Sequence, residues 1–400
     1  MLFPQPQKWA VGTFLCEVWK MKKKFLLFGS YVLVAMLATV ITLAMVGMNP
    51  PSKLDRLEGL IEDCFIGEAD SQTMEDAAAA AMVKATGDRW SYYISAKDYD
   101  AHREQEENAY VGVGITIQQQ EDDSGFLIAA VIDGGPAQEA GIQVNDLLIG
   151  VEEQDVRGMT TDQVGALVKG KEGTKVTLTV LRKGENLTLA VERRRIEQPV
   201  AEGELLDDGV GLVRISNFDA RCAQESIAAI EKLRSEGAKK LIFDVRNNPG
   251  GFASELVELL DYLLPEGDLF RSVSYDGKEE VDTSDADYLD MPMAVLVNGN
   301  TYSAAEFFAA ALMEYEAAVV VGEPTVGKGY YQQTIALGDG SAVALSTGKY
   351  YTPEGNSLAD KGITPSVRVD VDEETASAIY YGTLQPADDP QIRAAIQALK

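Results

Sequence analysis

The sequence predicts a multidomain chain: an N-terminal transmembrane helix, a helical arm, a compact and mostly β module, and an α/β core with additional β-strands. Three observations carry this. A lysine cluster near the start is followed by a long run without charge. At Val111 the hydrophobic period changes to two. Beyond Pro199, apolar strands alternate with amphipathic helices.

Residues 1–24 hold five lysines and one glutamate, and residues 25–48 carry no charge. As a helix the uncharged run spans about 36 Å, enough to cross a bilayer core. Lysines before it and acidic sequence after it predict a cytoplasmic basic segment (1–24), a single-pass anchor in the cell membrane (25–48) and an extracytoplasmic remainder. A cleaved signal peptide is the closest rival. Its apolar region is normally shorter, and Leu43-Ala44-Met45-Val46-Gly47 is not a good A-x-A site, so an uncleaved anchor is favoured.

Residues 49–110 read as a helical juxtamembrane arm, with Leu54, Leu57, Leu60 and Ile61 at helical spacing. Such an arm packs on the rest of the chain or on a second copy, so a homodimer is among the expected partners. Residues 111–195 form the β module. Val111, Val113, Ile115 and Ile117 alternate, as do Val176, Leu178 and Val180 and, after Lys183-Gly184, Leu187, Leu189 and Val191. A short helix fits 161–168, capped by Thr160 or Thr161. Residues 196–370 hold the α/β core, with strands at 240–245, 293–297 and 319–322 and helices at 252–264 and 304–315. Two-residue alternation at 342–346 adds antiparallel strands. Residues 371–400 read as an acidic C-terminal segment.

The net charge of −28 over 400 residues excludes nucleic acid as a partner, because phosphates are repelled. There is one histidine, His102, so any Ser-His triad needs it and a two-histidine zinc site has no second ligand. His102 falls in the arm and reads as a surface or packing residue. Cys16, Cys64 and Cys222 lack a C-x-x-C spacing, which excludes zinc ribbons and thioredoxin-like redox motifs. Cys64 and Cys222 would share an oxidising space and could pair; free, buried thiols are the alternative. The proton carrier of an enzyme built on this chain is then Lys, Asp, Glu or Tyr.

Two strand-to-helix junctions carry unusual residues. In Asp244-Val245-Arg246-Asn247-Asn248-Pro249-Gly250-Gly251, glycines at a helix N-terminus let backbone N–H groups face a developing negative charge. In Asn298–Glu306, Ser303 sits where a strand ends and a helix begins, near the positive end of a helix dipole. Each also fits an ordinary capped turn. Lys328, between Gly327 and Gly329, is the nearest downstream base candidate, since a lysine in an apolar site loses its proton more easily.

Together these residues resemble the C-terminal processing peptidases, or tail-specific proteases, over roughly residues 111–370. Thr301-Tyr302-Ser303-Ala304-Ala305-Glu306-Phe307 is similar to the family's nucleophile stretch, Lys328 follows Ser303 by 25 residues, and Gln332 follows Lys328 by four. Asp244–Gly251 is similar to its D-x-R-N-N-P-G-G motif, and residues 338–355 to its D-G-S-A…Y-Y-T-P-x-G stretch. The resemblance implies a crotonase-like serine protease core in which Ser303 is the nucleophile, Lys328 the general base and Gln332 its orienting partner. It implies an oxyanion hole made by backbone N–H groups of Ala304 and of Gly250 or Gly251, and no metal or organic cofactor. Tyr330-Tyr331 departs from the family's smaller residues and is expected to narrow the substrate pocket.

The β module resembles a PDZ domain through Gly135-Pro136-Ala137, Ala140-Gly141 and Asn145-Asp146-Leu147-Leu148. Val111, Gly112, Val113, Gly114 and Ile115 then form the loop and strand that receive a peptide C-terminus, which adds as a β-strand. The implied activity is cleavage of protein substrates near their C-termini, with substrates bound by those termini. The alternative is a non-catalytic, membrane-tethered PDZ adaptor. A coenzyme A substrate, suggested by the crotonase-like core, is implausible beside a PDZ module and an outward topology.

Overall fold

The computed structural model describes residues 10–48 and 52–399; residues 1–9 of the basic segment and the Pro50-Pro51 break lie outside them. The chain divides into two compact units, residues 1–79 and 80–400. In the first, helix α1 (Ala10–Met48) runs without a break through the lysine cluster and the apolar run. Its stretch Lys22–Val40 is long and apolar enough to cross a membrane, and its side chains are exposed. Helix α2 (Lys53–Cys64) starts in a capping box: Ser52 N–H donates to Asp55 Oδ2 at 2.7 Å, and Asp55 N–H to Ser52 Oγ at 3.2 Å. Helix α3 (Ser71–Lys84) closes the unit and runs into the second.

The second unit opens with a departure from the expected all-helical arm. Residues Tyr92–Ile94 form a strand, β1, ahead of helix α4 (Ala96–Glu106). Three residues are too few to show a period, so the sequence carries no local strand signal there.

The β module follows. Strand β2 (Ala109–Gly112) pairs with β9 (Arg194–Glu197) at the module's base. Strands β3 (Ile115–Gln119), β4 (Phe126–Val131), β5 (Leu147–Val151), β7 (Lys175–Arg182) and β8 (Glu185–Glu192) form an antiparallel sheet in that order, with β6 (Gln154–Asp155) beside β5. Alternation puts Val176, Leu178 and Val180 on the buried face, against Phe126, Ile128 and Leu148. Helix α5 (Pro136–Glu139) starts on proline, and α6 (Thr161–Val168) is capped by Thr160. Strand β3 is an edge strand, and Gly114, at φ +78°, makes the turn into it. Val111 and Gly112 lie in β2, Val113 is buried in the module core, and Ile115 starts β3.

The α/β core has a six-stranded sheet ordered β10 (Ala201–Leu206), β11 (Val210–Ile215), β12 (Lys240–Asp244), β15 (Met293–Val297), β16 (Ala318–Gly322), β19 (Val367–Arg368). Only the β10–β11 pair is antiparallel. β12 and β15 read as continuous apolar runs because both their faces are buried. Val213, Leu241, Phe243, Val295 and Val297 face helices α7 (Cys222–Ser235), α8 (Ala253–Leu263) and α9 (Ala304–Glu314). Leu212, Ile242, Ala294 and Leu296 face the other way, onto α11 (Pro390–Ala398). The segment read as an acidic tail thus supplies α10 (Glu373–Tyr380) and a core helix: Ile392, Ala395 and Leu399, at spacings of three and four, are buried on the sheet. A second, antiparallel sheet has the order β1, β18 (Ala342–Tyr351), β13 (Gly267–Ser274), β14 (Glu279–Ser284), with β17 (Tyr330–Ala336) also on β18. Through β1 it ties the end of the arm to the core. Cys64 and Cys222 are free thiols; Cys222 is buried, which pushes its thiol up.

Candidate active site

Three adjacent parallel strands, β12, β15 and β16, end at the same edge of the six-stranded sheet, and the loops that follow carry residues 245–251, Ser303 and Lys328, while Gln332 lies in β17. This is where open α/β sheets place their ligands. After β12 the chain runs through Arg246 to Gly251. After β15 it reaches Ser303, and after β16 it reaches Lys328.

Ser303 caps α9 with φ +59° and ψ −131°, a backbone that a non-glycine residue adopts at a cost of about 1–3 kcal/mol. It is buried, 6% exposed. The strain is held by Glu306, whose wholly buried carboxylate accepts from Ser303 N–H (3.0 Å), Gly327 N–H (2.7 Å), Lys328 N–H (2.8 Å) and the Thr325 hydroxyl. One carboxylate therefore fixes the serine turn and the lysine loop together. The S-x-x-E spacing at 303–306 is a capping-box signature, so the bond from Ser303 N–H to Glu306 has a local sequence signal, whereas the bonds from Thr325, Gly327 and Lys328 have none.

The Gly250–Gly251 loop is bound to the serine loop by Asn247 N–H to Asn298 Oδ1 (2.9 Å), Asn298 Nδ2 to Asn247 Oδ1 (3.0 Å) and Tyr302 N–H to Asn248 O (3.1 Å). A Cβ on Gly250 would lie 2.7 Å from Ser303 Cβ and 2.8 Å from Ala304 N, so only glycine allows this approach. Gly250 N–H donates to Asn248 Oδ1 at 2.8 Å. Among the described residues, the N–H groups of Gly251 and Ala304 have no protein acceptor.

Lys328 Nζ lies 5.0 Å from the Trp90 ring centroid and 5.8 Å from that of Tyr302, the two rings being stacked. Burial lowers its pKa to about 8, against the opposing pull of the Asp88 and Glu306 carboxylates. Ser303, Lys328 and Gln332 line one cavity of about 500 Å³ with Gly250 and Gly251. No hydrogen bond joins Lys328 Nζ to either partner among the described residues. Gln332 Nε2 instead donates to Ser346 Oγ at 3.0 Å and to Tyr330 O at 3.3 Å. Of the tyrosine pair, Tyr331 lines the cavity, stacked on Tyr350, while Tyr330 lies outside its lining. No group of three or more His, Cys, Asp or Glu suited to a metal ion occurs among the described residues.

His102, read from the sequence as a surface or packing residue, packs beside Tyr92 in the lining of this cavity. The β1–β18 pairing brings the end of the arm across the cavity, so Trp90, Tyr92, His102 and Glu106 all line it. His102 Nε2 is 3.0 Å from the Tyr92 hydroxyl, and Nδ1 is 3.6 Å from Glu106 Oε1. Beside them Asp219 is pushed up to about 7 by burial, with Glu106 and Glu255 adding to the shift. No local signal marks Trp90 or Asp219 in the sequence.

The chain is similar to known proteins over most of its length. The peptidase family S41 profile matches residues 209–369, and a PDZ domain profile matches residues 102–181. The chain is 32% identical over 367 residues to the carboxy-terminal processing protease CtpA of Bacillus subtilis (strain 168), across 88% of this chain and 78% of that one. It is 32% identical over 324 residues to a probable CtpA-like serine protease of Staphylococcus aureus (strain COL), across 80% of this chain and 64% of that protein. Among solved structures, the photosystem II D1 C-terminal processing protease aligns at 26% identity over 78% of this chain and 86% of its own, with a TM-score of 0.46. The chain belongs to peptidase family S41, the carboxy-terminal processing serine proteases, and carries a PDZ domain ahead of its peptidase domain.

Proposed function

We propose that this protein is a membrane-anchored serine endopeptidase that cleaves protein substrates near their C-termini through a Ser303–Lys328 acyl-enzyme mechanism. The observation that carries the proposal is the shared clamp of Glu306 on Ser303 and Lys328. It maintains a strained serine and a half-buried lysine at one cavity, an arrangement that costs stability and serves no packing purpose.

The neutral Lys328 amine, rotated off the Trp90 and Tyr302 rings, takes the Ser303 Oγ proton as Oγ attacks the scissile carbonyl. Gln332, held through Nε2 by Ser346 and Tyr330, leaves Oε1 to orient that amine. The oxyanion is stabilised by the unengaged N–H groups of Ala304 and Gly251; Gly250 N–H is occupied by Asn248, and Gly250 serves by permitting the close approach. Lys328 passes the proton to the leaving amine, and water then hydrolyses the ester with Lys328 again as base. No metal or organic cofactor takes part.

The PDZ domain binds the substrate tail along the free edge of β3, with Val111–Gly114 receiving the carboxylate. Helix α1 anchors the chain in the cell membrane with the basic segment (1–24) cytoplasmic and the peptidase domain (196–370, crotonase-like) extracytoplasmic. A homodimer belongs to the same proposal.

The test uses the full-length chain in detergent micelles and a peptide with a small apolar C-terminus. Ser303→Ala and Lys328→Arg are expected to abolish turnover, since a guanidinium cannot give up its proton, and chelators to leave it unchanged. Binding of peptide tails without Ser303-dependent cleavage would establish the adaptor instead.

A further inference from the structure

We propose that Asp389 and Gln391, at the head of α11, are positioning residues for the oxyanion loop and act on it through Arg246. The proposal rests on the reading of Ser303 as nucleophile given above.

Arg246 is the hinge between β12 and the Gly250–Gly251 loop. The chain turns directly after it, at Asn247 with φ +60°, and four residues on, Gly250 lies against Ser303. The Arg246 side chain is only 4% exposed, and all three guanidinium nitrogens are engaged. Nε and Nη2 donate to the two oxygens of Asp244 at 2.8 and 2.6 Å. Nη1 reaches the opposite face of the sheet, donating to Asp389 Oδ2 at 2.8 Å and to Gln391 Oε1 at 2.9 Å. Asp389 is itself 3% exposed, and its Oδ1 caps α11 by accepting from Gln391 N–H and Ile392 N–H. Gln391 Nε2 is tied in turn to Val369 O at 2.8 Å.

Holding α11 in place does not require this cluster. Ile392, Ala395 and Leu399 already bury the helix on Leu212, Ile242 and Leu296. A buried ion pair is a poor source of net stability compared with such packing, but it is directional. Here the direction is the useful property. The guanidinium plane, fixed from both ends, sets where the backbone leaves β12. The loop's remaining ties run to the serine loop, through Asn247 and Asn248, and to β11 and the segment after it, where Asn248 Nδ2 donates to Ile215 O (2.8 Å) and Gly250 O accepts from Phe218 N–H (2.7 Å). Asp389 and Gln391 thus supply the loop's anchor on the α11 face of the sheet; without it the start of the loop is held at Arg246 by Asp244 alone, and the placement of the Gly251 N–H beside that of Ala304 loosens.

The experiment compares three variants of the full-length chain in micelles, well below the unfolding midpoint of each. Asp389→Asn keeps the capping Oδ1 and removes the charge that faces Arg246. Gln391→Met keeps the shape and removes the second acceptor. Ile392→Ala loosens the same helix without touching Arg246. Asp389→Asn is expected to lower kcat by about tenfold or more with KM unchanged, and Gln391→Met to lower it less. Ile392→Ala should retain the wild-type kcat while losing at least as much thermal stability. A kcat that follows the unfolding midpoint across all three, or a wild-type kcat in both Asp389→Asn and Gln391→Met, overturns the proposal. Cleavage that survives Ser303→Ala overturns the reading of function and this inference with it; Ser303-dependent cleavage indifferent to Asp389 and Gln391 overturns this inference alone.

Discussion

The pH dependence of cleavage follows from the surroundings of Lys328. A solvated lysine with its pKa at 10.5 is neutral in roughly 3 molecules of 10,000 at pH 7. Burial brings Lys328 to about 8, so roughly a tenth is neutral at pH 7 and about nine-tenths at pH 9. Burial therefore makes the base roughly 300-fold more available at neutral pH, about 3 kcal/mol in protonation free energy. Asp88 works against this, because its carboxylate stabilises the ammonium form. Asp88→Asn removes the charge while keeping an oxygen for Trp90 N–H, and should move the Lys328 pKa below about 8. The assay is kcat/KM against pH, between pH 6 and 10, with a fluorogenic peptide. The wild-type profile should rise about tenfold from pH 7 to 9 and then level off, and the Asp88→Asn limb should lie at lower pH. His102→Gln should leave the limb in place. A limb near pH 6.5 that disappears in His102→Gln would refute the reasoning, since an imidazole would then be the base. So would a limb that Asp88→Asn does not move.

Other substitutions probe the frame of the site. Glu306→Gln places an amide against donors that a carboxylate now satisfies; it should cost about 3 kcal/mol in a denaturant titration and lower kcat by about 100-fold. Gly250→Ala drives a methyl into Ser303 and demands φ +89° of an alanine, so reaction of Ser303 with a fluorophosphonate probe should fall together with turnover. Asp219, held near 7 against an ordinary 3.8, keeps its proton in the folded chain while the unfolded chain releases it. Its contribution to stability therefore falls as pH rises from about 4 to 7. Asp219→Asn should raise the unfolding midpoint most above pH 7 and progressively less toward pH 4.

The features legible in the sequence are those determined by short stretches of chain. Apolar runs ending in Asn, Pro and Gly announced the loops after β12 and β15, and the Ser303–Lys328–Gln332 spacing is legible because all three lie within one short passage, α9–β16–β17. Long-range partnerships left no such trace. Tyr92–Ile94 is a strand only because Val343 and its neighbours, some 250 residues away, supply its hydrogen bonds. Without that pairing nothing brings Trp90 to Lys328 or His102 to the cavity. In the last thirty residues the acidic composition obscured three apolar positions at helical spacing, which become a core face once the sheet is beneath them. The proposed preference for Gly251 over Gly250 as oxyanion donor rests on one side-chain bond, from Gly250 N–H to Asn248 Oδ1, that no spacing encodes.

The central claim is that Ser303 carries the acyl group. It is tested most directly by mixing the full-length chain with an excess of peptide substrate, quenching in acid within the first turnover and mapping the digested enzyme by mass spectrometry. The account predicts the N-terminal product fragment esterified to Ser303, absent from Ser303→Ala, and absent from Lys328→Ala for want of a base. Cleavage that proceeds with no adduct on Ser303 and persists in Ser303→Ala would contradict it.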